Sequence, residues 1–208
     1  RSIHELTERA TEFDGFITVG ATVFPEADLR ALHMVLPHGV CIDTNPAPRL
    51  FDSVRPDLSQ TMLDALDAMI AAGSRIAFLG GVGSIMGMHD YPEDIRELSF
   101  RQWAAHLGLE TDGLVYSSGT FTVENGYRLA EQLVADHREA GSMPDGLIVA
   151  ADVLAVGALQ ALNALRVEVP DELAVVSVNN QSIARYTSPP LSSYAIDQRE
   201  LARMAFST

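Results

Sequence analysis

The stretch MPDGLIVAADVLAVGALQALNALRVEVPDELAVVSVNN, residues 143–180, places two short apolar segments on either side of one long helical segment. The apolar segments GLIVA and LAVVSV show no alternation with polar residues, which is typical of strands covered on both faces. The intervening DVLAVGALQALNAL is long enough to be a helix. Two strands joined by a helix form a βαβ unit, so the stretch predicts a parallel sheet with helices packed on it.

The same alternation of strand and helix extends along the rest of the chain. Strands are predicted at GFITV, GVCID, RIAFLG and GLVYS, and helices at IHELTERA, EADLRALHM, SQTMLDALDAMIAA, EDIRELSFRQWAAHL, VENGYRLAEQLVADH and QRELARMAFST. In SQTMLDALDAMIAA, Met62, Leu66, Met69 and Ile70 follow the spacing of one helix face. The pattern predicts an α/β fold.

Composition and charge narrow the class of function. The 208 residues are 47% hydrophobic and 20% charged, a balance typical of a chain that folds around a core. The net charge of −14 argues against nucleic acid binding by this chain alone, because nucleic acid is a polyanion. The single Cys41 lies in the apolar segment VCID and indicates a buried thiol. No apolar stretch is long enough to span a membrane, and no signal peptide opens the chain.

Glycines cluster in FLGGVGSIMG, residues 78–87, in a pattern close to the loop that binds dinucleotide phosphates. In that loop the glycines open a helix directly, whereas here GMHDYP intervenes. The helix is predicted to begin near Asp90, with Pro92 in its first turn and Glu93 at the capping-box position. We therefore expect no cofactor, and interpret the glycines as a loop at the carboxyl edge of a sheet, where α/β folds bind ligands.

Catalytic and metal-binding patterns are not found in the sequence. Ser84 lacks the glycine two residues before it that a nucleophile elbow requires. The six histidines are scattered, and none pairs at i, i+4 with a carboxylate between them. The sequence therefore predicts no metal site, and a protein that is not an enzyme.

A set of short motifs follows in fixed order between residues 143 and 204. They are AAD at 150–152, VPDEL at 169–173, NN at 179–180, Tyr186, and PPLSS at 189–193. Together they resemble the ligand-binding core of the LacI/GalR (lactose-repressor/galactose-repressor) family of bacterial transcriptional regulators. The resemblance continues upstream through RIAFLGG, DIRELSF and GTFTVENGY, and more weakly through FDGFITVG and VCID, so it covers essentially the whole chain.

The resemblance implies two doubly wound parallel-sheet subdomains of the periplasmic-binding-protein type, the first of them incomplete in this chain. Residues 1–56 and 197–208 would form the N-terminal core subdomain and residues 57–196 the C-terminal one, with hinge strands near Pro56 and Ile196. A helix-turn-helix DNA-binding domain precedes this core in the family, and both ends of the chain suggest a fragment of a longer protein.

The resemblance also implies three ligand contacts in the C-terminal subdomain. Arg96 matches an arginine whose planar fork can donate two hydrogen bonds to adjacent sugar hydroxyls; the alternative is a surface arginine paired with Asp94 or Glu97. Asn179 matches a polar contact at a strand end, and it could instead cap the next helix. Phe121 matches an aromatic that stacks on the ligand, and it could instead be a core residue.

The resemblance implies further ligand contacts, for which the matching motifs are less specific. Asp43 matches an acidic contact of the N-terminal subdomain, or forms a turn, and Val19 and Gly20 would line the pocket floor. Asp152 would contact the ligand or cap the helix that follows it. Ala151 departs from the family pattern, because many relatives have Asn there, and the missing polar contact puts the orientation of the ligand in question. Asn180, where the family often has Asp, is a second departure.

These features predict the effector-binding core of a cytoplasmic bacterial repressor that controls carbohydrate-utilisation genes. The effector would be a sugar. The long loop 81–92 with DIRE at 94–97, together with Asn179, resembles the family members that govern galactoside utilisation and implies a galactose-containing sugar. A homodimer is expected, with Tyr186 and the helix around Leu159 resembling the family's dimer contacts, and operator DNA would be bound only through a domain absent from this chain. The alternative is a periplasmic sugar-binding receptor of a transporter.

Overall fold

A computed structural model of the chain describes residues 3–20, 25–45, 47–82 and 94–208. These residues form two compact units. The first unit contains the described residues up to Pro56 and those from Asp197 onward, and the second extends from Asp57 to Ile196, apart from residues 83–93. Each unit has its own sheet and its own hydrophobic core.

The first unit contains a sheet of three parallel strands in the order β1-β2-β3. Its elements are α1 (Ile3–Glu8), a 3-10 turn (Ala10–Glu12), β1 (Phe16–Val19), α2 (Glu26–His33), β2 (Gly39–Ile42), β3 (Asp52–Val54) and α7 (Gln198–Ser207). The core of this unit includes Leu29 from α2, Cys41 from β2 and Phe51. Cys41 is fully buried, as its apolar surroundings in sequence indicated.

The second unit contains a sheet of five parallel strands in the order β5-β4-β6-β7-β8. Its elements are α3 (Leu58–Ile70), β4 (Ile76–Gly80), α4 (Ile95–His106), β5 (Val115–Ser117), α5 (Val123–Arg138), β6 (Gly146–Val149), α6 (Asp152–Ala164), β7 (Ala174–Asn179), a 3-10 turn (Ser182–Tyr186) and β8 (Ser192–Ala195). The prediction of an α/β fold with parallel sheets is confirmed.

The strand order of the second sheet makes it doubly wound. The chain leaves β4 for β5 on one side, then returns past β4 to β6 and continues outward to β7 and β8. Because crossovers are right-handed, this reversal places α4 on the opposite face from α5 and α6. It also creates a switch point between β4 and β6, and ligands of such sheets bind at the carboxyl ends of the strands beside a switch point.

Helices α5 and α6 approach each other very closely on their face of the sheet. A Cβ atom added at Gly157 would lie 1.9 Å from the carbonyl oxygen of Val123, and one added at Gly126 would lie 2.0 Å from that of Leu154. Only glycine fits at both positions, so the two helices pack backbone against backbone. This contact holds the beginnings of both helices, and the loops that lead into them, in fixed positions.

Three features differ from the sequence-based expectations. Strands β3 and β8 were not predicted, because their sequences DSV and SSYA are short and polar. Helix α4 begins at Ile95, with Asp94 as its N-cap, later than the expected start near Asp90. Asp90, Pro92 and Glu93 themselves, like most of the glycine loop, lie outside the described residues.

Within the described ranges, no helix combines the length and the apolar character needed to cross a membrane. The same residues contain no cluster of three or more histidine, cysteine or acidic side chains with the geometry of a metal site.

Candidate functional site

Arg96 lies in the first turn of α4, beside the carboxyl end of the second sheet. Asp94 accepts a hydrogen bond from the backbone nitrogen of Arg96 at 2.9 Å and thereby caps the helix. The same carboxylate accepts from Nε of Arg96 at 2.7 Å and from Nη2 at 2.6 Å. The Arg96 side chain is only 16% exposed. The pairing with Asp94 is thus present, but Arg96 is not a surface residue, and Glu97 pairs with Arg101 instead.

Arg96 also joins the ends of two further strands. Its Nη1 donates to the carbonyl oxygen of Ala150, directly after β6, at 3.0 Å. Its guanidinium carbon lies 4.6 Å from the ring centroid of Phe121, in the loop after β5. A guanidinium over an aromatic ring at this distance is held by a cation–π interaction. The structure therefore brings together two predicted ligand contacts, Arg96 and Phe121, beside the switch point.

The hydrogen bonds of Arg96 leave part of its donor capacity unused. A guanidinium carries five N–H groups. Within the described residues three of them have acceptors, two on Asp94 and one on Ala150, which leaves one N–H on each terminal nitrogen. Two adjacent donors in one plane match the geometry of neighbouring hydroxyl groups on a sugar ring.

Phe121 packs against the core, as one of its two predicted roles requires, and its ring also faces Arg96. It is half-buried, and it packs against the hydrophobic core of the second unit. The ring also contacts the Arg96 guanidinium and is next to Gly81, where an added Cβ would lie 3.3 Å from a ring carbon. Gly81, the one glycine of the Gly81, Gly83 and Gly87 cluster that the structure describes, thus leaves room for the loop that carries Phe121.

Asp152 has surroundings that neither predicted role anticipated. Ala151 is the N-cap of α6, and no side chain caps this helix. Asp152 itself is 0% exposed. Its Oδ1 accepts from the hydroxyls of Ser177 at 2.7 Å and Ser193 at 2.6 Å, and its Oδ2 accepts from the backbone nitrogen of Gln181. In this structure the carboxylate offers no surface to a ligand, and it connects the start of α6 to β7, to β8 and to the turn that follows β7.

Asn179 ends β7 in an unusual backbone conformation. Its φ is +105°, and that of Asn180 is +49°, a region that asparagine tolerates better than most residues. The backbone nitrogen of Asn180 donates to Ser193 Oγ at 2.9 Å. No described residue hydrogen bonds to the half-buried Asn179 amide, and the following 3-10 turn has Gln181 as its N-cap without a side-chain bond. Asn179 therefore does not act as a cap.

The predicted contacts of the first unit lie side by side at the carboxyl edge of its sheet. The backbone nitrogen of Gly20 donates to Ile42 at 3.0 Å, and that of Asp43 donates to Val54 at 2.9 Å. Asp43 has φ of +78°, and Thr44 closes a tight turn around it by bonding to Ile42. The turn-forming role is therefore present. The Asp43 side chain is exposed, and no described residue hydrogen bonds to its carboxylate.

The two residues that resemble dimer contacts differ in exposure. Tyr186, at the end of the 3-10 turn, is 81% exposed, whereas Leu159 on α6 is 5% exposed. Leu159 lines a groove of about 650 Å³ together with Asn163, Val169 and Pro189. Tyr186 thus has a free surface, while Leu159 could contribute only through the groove beside it.

Several residues that shape this edge were missed by sequence reasoning. Asp94 was considered only as an ion-pair partner, and Ser177, Ser193 and Asn125 were not considered. Serine and asparagine side chains are too common at strand and helix ends for one sequence to distinguish a buried network from a solvated surface. The hydroxyl of Ser117, at the end of β5, is also buried and has no partner among the described residues.

Burial raises the pKa of a side chain in β5 of the second sheet and of another in β2 of the first. Burial, together with a hydrogen bond to Asp136 at 2.9 Å, raises the pKa of Tyr116 in β5 well above its usual value. Burial likewise raises the pKa of the Cys41 thiol in β2. Both effects favour the neutral form, because a charge is poorly solvated in the interior.

Comparison with known proteins agrees with this arrangement. Residues 66–208 match the family of periplasmic binding protein-like domains. The transcriptional regulator LacR of Lactobacillus helveticus is 42% identical over 99% of this chain and 61% of its own length. The regulator GanR of Bacillus subtilis is 37% identical over 92% of this chain and 57% of its own length. The chain thus spans about three fifths of the length of these relatives, which are named as helix-turn-helix transcriptional regulators.

Solved structures resemble the chain over nearly its whole length. A LacI-family regulator from Lactobacillus casei, crystallised with sucrose, has a TM-score of 0.79 and 25% identity, covering 99% of this chain and 72% of its own. The same regulator with glucose gives the same TM-score. The chain therefore belongs to the family of periplasmic binding protein-like domains, in the form that makes up the effector-binding core of LacI-family regulators.

Proposed function

We propose that this chain senses a sugar effector for a bacterial repressor that controls carbohydrate-utilisation genes, and that the effector contains galactose. Binding of the effector shifts the equilibrium between conformations of the regulator, by as much as the sugar's affinity differs between them. The repressor reads its operator through a domain outside this chain, and works as a homodimer to which Tyr186 and the surface around α6 contribute.

The observation that carries this proposal is the arrangement of Arg96 and Phe121 beside the switch point of the second sheet. A sugar presents hydroxyl groups around its ring and C–H groups on its face. Among the described residues, two N–H groups of Arg96 have no acceptor, and its guanidinium is held in place by Asp94, Ala150 and Phe121. Such a fixed donor pair beside an aromatic ring is suited to a neutral polyhydroxylated ligand.

Support for a galactose-containing effector comes from sequence resemblance. DIRE at 94–97 and Asn179 match the members that govern galactoside utilisation, and the amide of Asn179 is without a partner among the described residues. The relatives include regulators named LacR and GalR. The alternative of a periplasmic receptor is not favoured, because the relatives are helix-turn-helix regulators.

A sugar panel on the full-length protein tests the proposal. Lactose and galactose are compared with glucose, sucrose and maltose by thermal shift and calorimetry. Galactose and glucose differ only in the configuration at one carbon, so this pair isolates the galactose preference. At a hundredfold excess over Kd, a bound sugar stabilises the protein by about 2.7 kcal/mol, which raises Tm by several degrees. If no sugar binds, the proposal is overturned. If glucose binds more tightly than galactose, only the galactose-containing effector is overturned, and sugar sensing stands.

A further inference from the structure

The loop that carries Phe121 is fastened by a single buried side chain, Asn125, from the first turn of α5. Its Nδ2 donates to the carbonyl oxygens of Ser118 at 2.6 Å and Thr120 at 2.8 Å. Asn125 is only 9% exposed. Both N–H groups of the amide are therefore spent on the loop backbone, one on each side of Gly119.

Arg128, one turn further along α5, fixes the orientation of this amide. Its Nη2 donates to Oδ1 of Asn125 at 2.8 Å and to the Ser118 hydroxyl at 2.9 Å. A guanidinium can only donate hydrogen bonds, so the atom that it meets must be the amide oxygen. The amide nitrogen then necessarily faces the loop.

The loop is fitted tightly between Asn125 and the end of β4. Gly119 has φ of +68°, and a Cβ atom added there would lie 2.8 Å from Oδ1 of Asn125. On the other side, the carbonyl oxygen of Gly119 accepts from the backbone nitrogen of Val82 at 2.7 Å. A Cβ atom added at Gly81 would lie 3.0 Å from that same oxygen. The loop therefore has little room to take another path.

These contacts fix the backbone conformation on both sides of Phe121. Asn125 holds the carbonyl group of Thr120, directly before it, and Thr122, directly after it, accepts from the backbone nitrogen of Asn125 at 3.2 Å. The ring that this backbone presents lies against the Arg96 guanidinium at 4.6 Å. Among the described residues, Asn125 hydrogen bonds to the loop and to Arg128, and it makes no hydrogen bond to Arg96.

We infer that Asn125 is a positioning residue for the effector site, which acts through Phe121 on the Arg96 guanidinium. Without its amide, two carbonyl groups of the loop lose their donors, and the ring is no longer held against Arg96. The effect on sugar affinity rests on the proposed function, whereas the effect on Phe121 and Arg96 can be measured without a sugar.

The first experiment uses the ligand-free protein. Phe121 shifts the NMR resonance of the Arg96 Nε–H through its ring current, and the resonance is assigned by its loss in Arg96→Lys. In Asn125→Ala the resonance should move more than half of the way to its position in Phe121→Leu. The matched control is Gln132→Ala, which removes an exposed side-chain amide from the same helix, α5, and should leave the resonance in place. An unchanged resonance in folded Asn125→Ala would overturn the inference.

The second experiment measures lactose affinity by calorimetry in a double-mutant cycle. Asn125→Ala should weaken binding about 3- to 10-fold, and by less than about 2-fold when Phe121→Leu is already present, because the path through the ring is gone. Additive effects of the two changes would contradict an action through Phe121. If neither lactose nor galactose binds the wild-type protein, the proposed galactose-containing effector is wrong, and the Arg96 resonance alone tests the role of Asn125.

A second variant guards against a failure to fold. Asn125→Asp keeps the size and the oxygen that faces Arg128, but replaces the donor group with an oxygen that faces two carbonyl groups. It should shift the Arg96 resonance in the same direction as Asn125→Ala. A folded Asn125→Asp with the wild-type resonance would likewise overturn the inference.

Discussion

Asp152 and Asp43 each follow a parallel strand at the carboxyl edge of its sheet, yet their carboxylates have opposite surroundings. Asp152, in the second unit, is fully buried and accepts three hydrogen bonds from residues that follow on other strands. Asp43, in the first unit, is exposed, and only its backbone is held, by Val54. The same residue type at equivalent places thus serves as an internal support in one unit and as a free polar group in the other.

The difference extends to the neighbouring residues. In the second unit, side chains hold the edge: Asp94 orients Arg96, Asn125 fastens the loop of Phe121, and Asp152 secures the turn after Asn179. In the first unit, backbone bonds hold Gly20 and Asp43, and their surroundings are open. We expect substitutions in the second unit to change stability and affinity together, and those in the first unit to change affinity alone.

The largest effect is expected for Asp152→Asn. The side-chain amide of asparagine has one oxygen that accepts and one nitrogen that only donates. Therefore either the hydroxyls of Ser177 and Ser193 or the backbone nitrogen of Gln181 lose their acceptor. The position is fully buried, so water does not replace it. The free energy of unfolding should fall by roughly 3–4 kcal/mol, measured by urea denaturation. The control Asp171→Asn, at an exposed turn, should change it by less than about 0.5 kcal/mol. A loss below about 1 kcal/mol at Asp152 would show that the network is not a support.

Arg96→Ala should give the next largest effect, on affinity. It removes two charge-assisted donors from the bound sugar and should weaken binding by roughly 2–4 kcal/mol, or about 30- to 1,000-fold, in calorimetry. Arg101→Ala on the same helix is the control, because Arg101 is half exposed and pairs only with Glu97. An unchanged Kd in a folded Arg96→Ala variant would remove Arg96 from the site.

Asp43→Asn makes in the first unit the same chemical change as Asp152→Asn. Asparagine tolerates the positive φ as well as aspartate does, so the free energy of unfolding should change by less than about 0.5 kcal/mol. If the carboxylate contacts the sugar, affinity should fall about 5- to 10-fold. A marked loss of stability would contradict the contrast between the two units.

The smallest effect concerns pH. The pKa of Tyr116 is raised in the folded protein, so its contribution to stability is complete below the unfolded pKa of about 10 and is lost as pH rises further. Between pH 8.5 and 10.5, the wild-type protein should lose up to about 1 kcal/mol more than Tyr116→Phe, measured by urea denaturation. Parallel slopes for Tyr116→Phe and wild type would contradict this expectation.

The helices and strands that are long or continuously apolar could be predicted from the sequence. GLIVA, RIAFLG and the helix after Asp152 are such elements, because burial on both faces of a parallel sheet demands continuous apolar residues. Strands β3 and β8 escaped prediction, because DSV and SSYA carry no such signal and are strands through their pairing with β2 and β7. The start of α4 was misplaced, since Asp90 and Asp94 are both suitable caps and local sequence does not choose between them.

The positions of some candidate site residues could also be predicted from the sequence. Arg96, Phe121 and Asn179 follow three different strands, and the carboxyl ends of parallel strands share one edge, so their grouping at the second sheet followed from the fold. By itself the sequence determined the α/β class, the family and these positions.

Only the tertiary structure decided what each polar side chain does. Asp152 is a support because Ser177 and Ser193, 25 and 41 residues further along, bring their hydroxyls to it. Within the part of the chain that the structure describes, Asp94 and Ala150 accept from three of the five N–H groups of Arg96, and the other two have no acceptor. A hydrogen bond depends on distances of a few tenths of an ångström between residues remote in sequence, and local pattern contains no such distances.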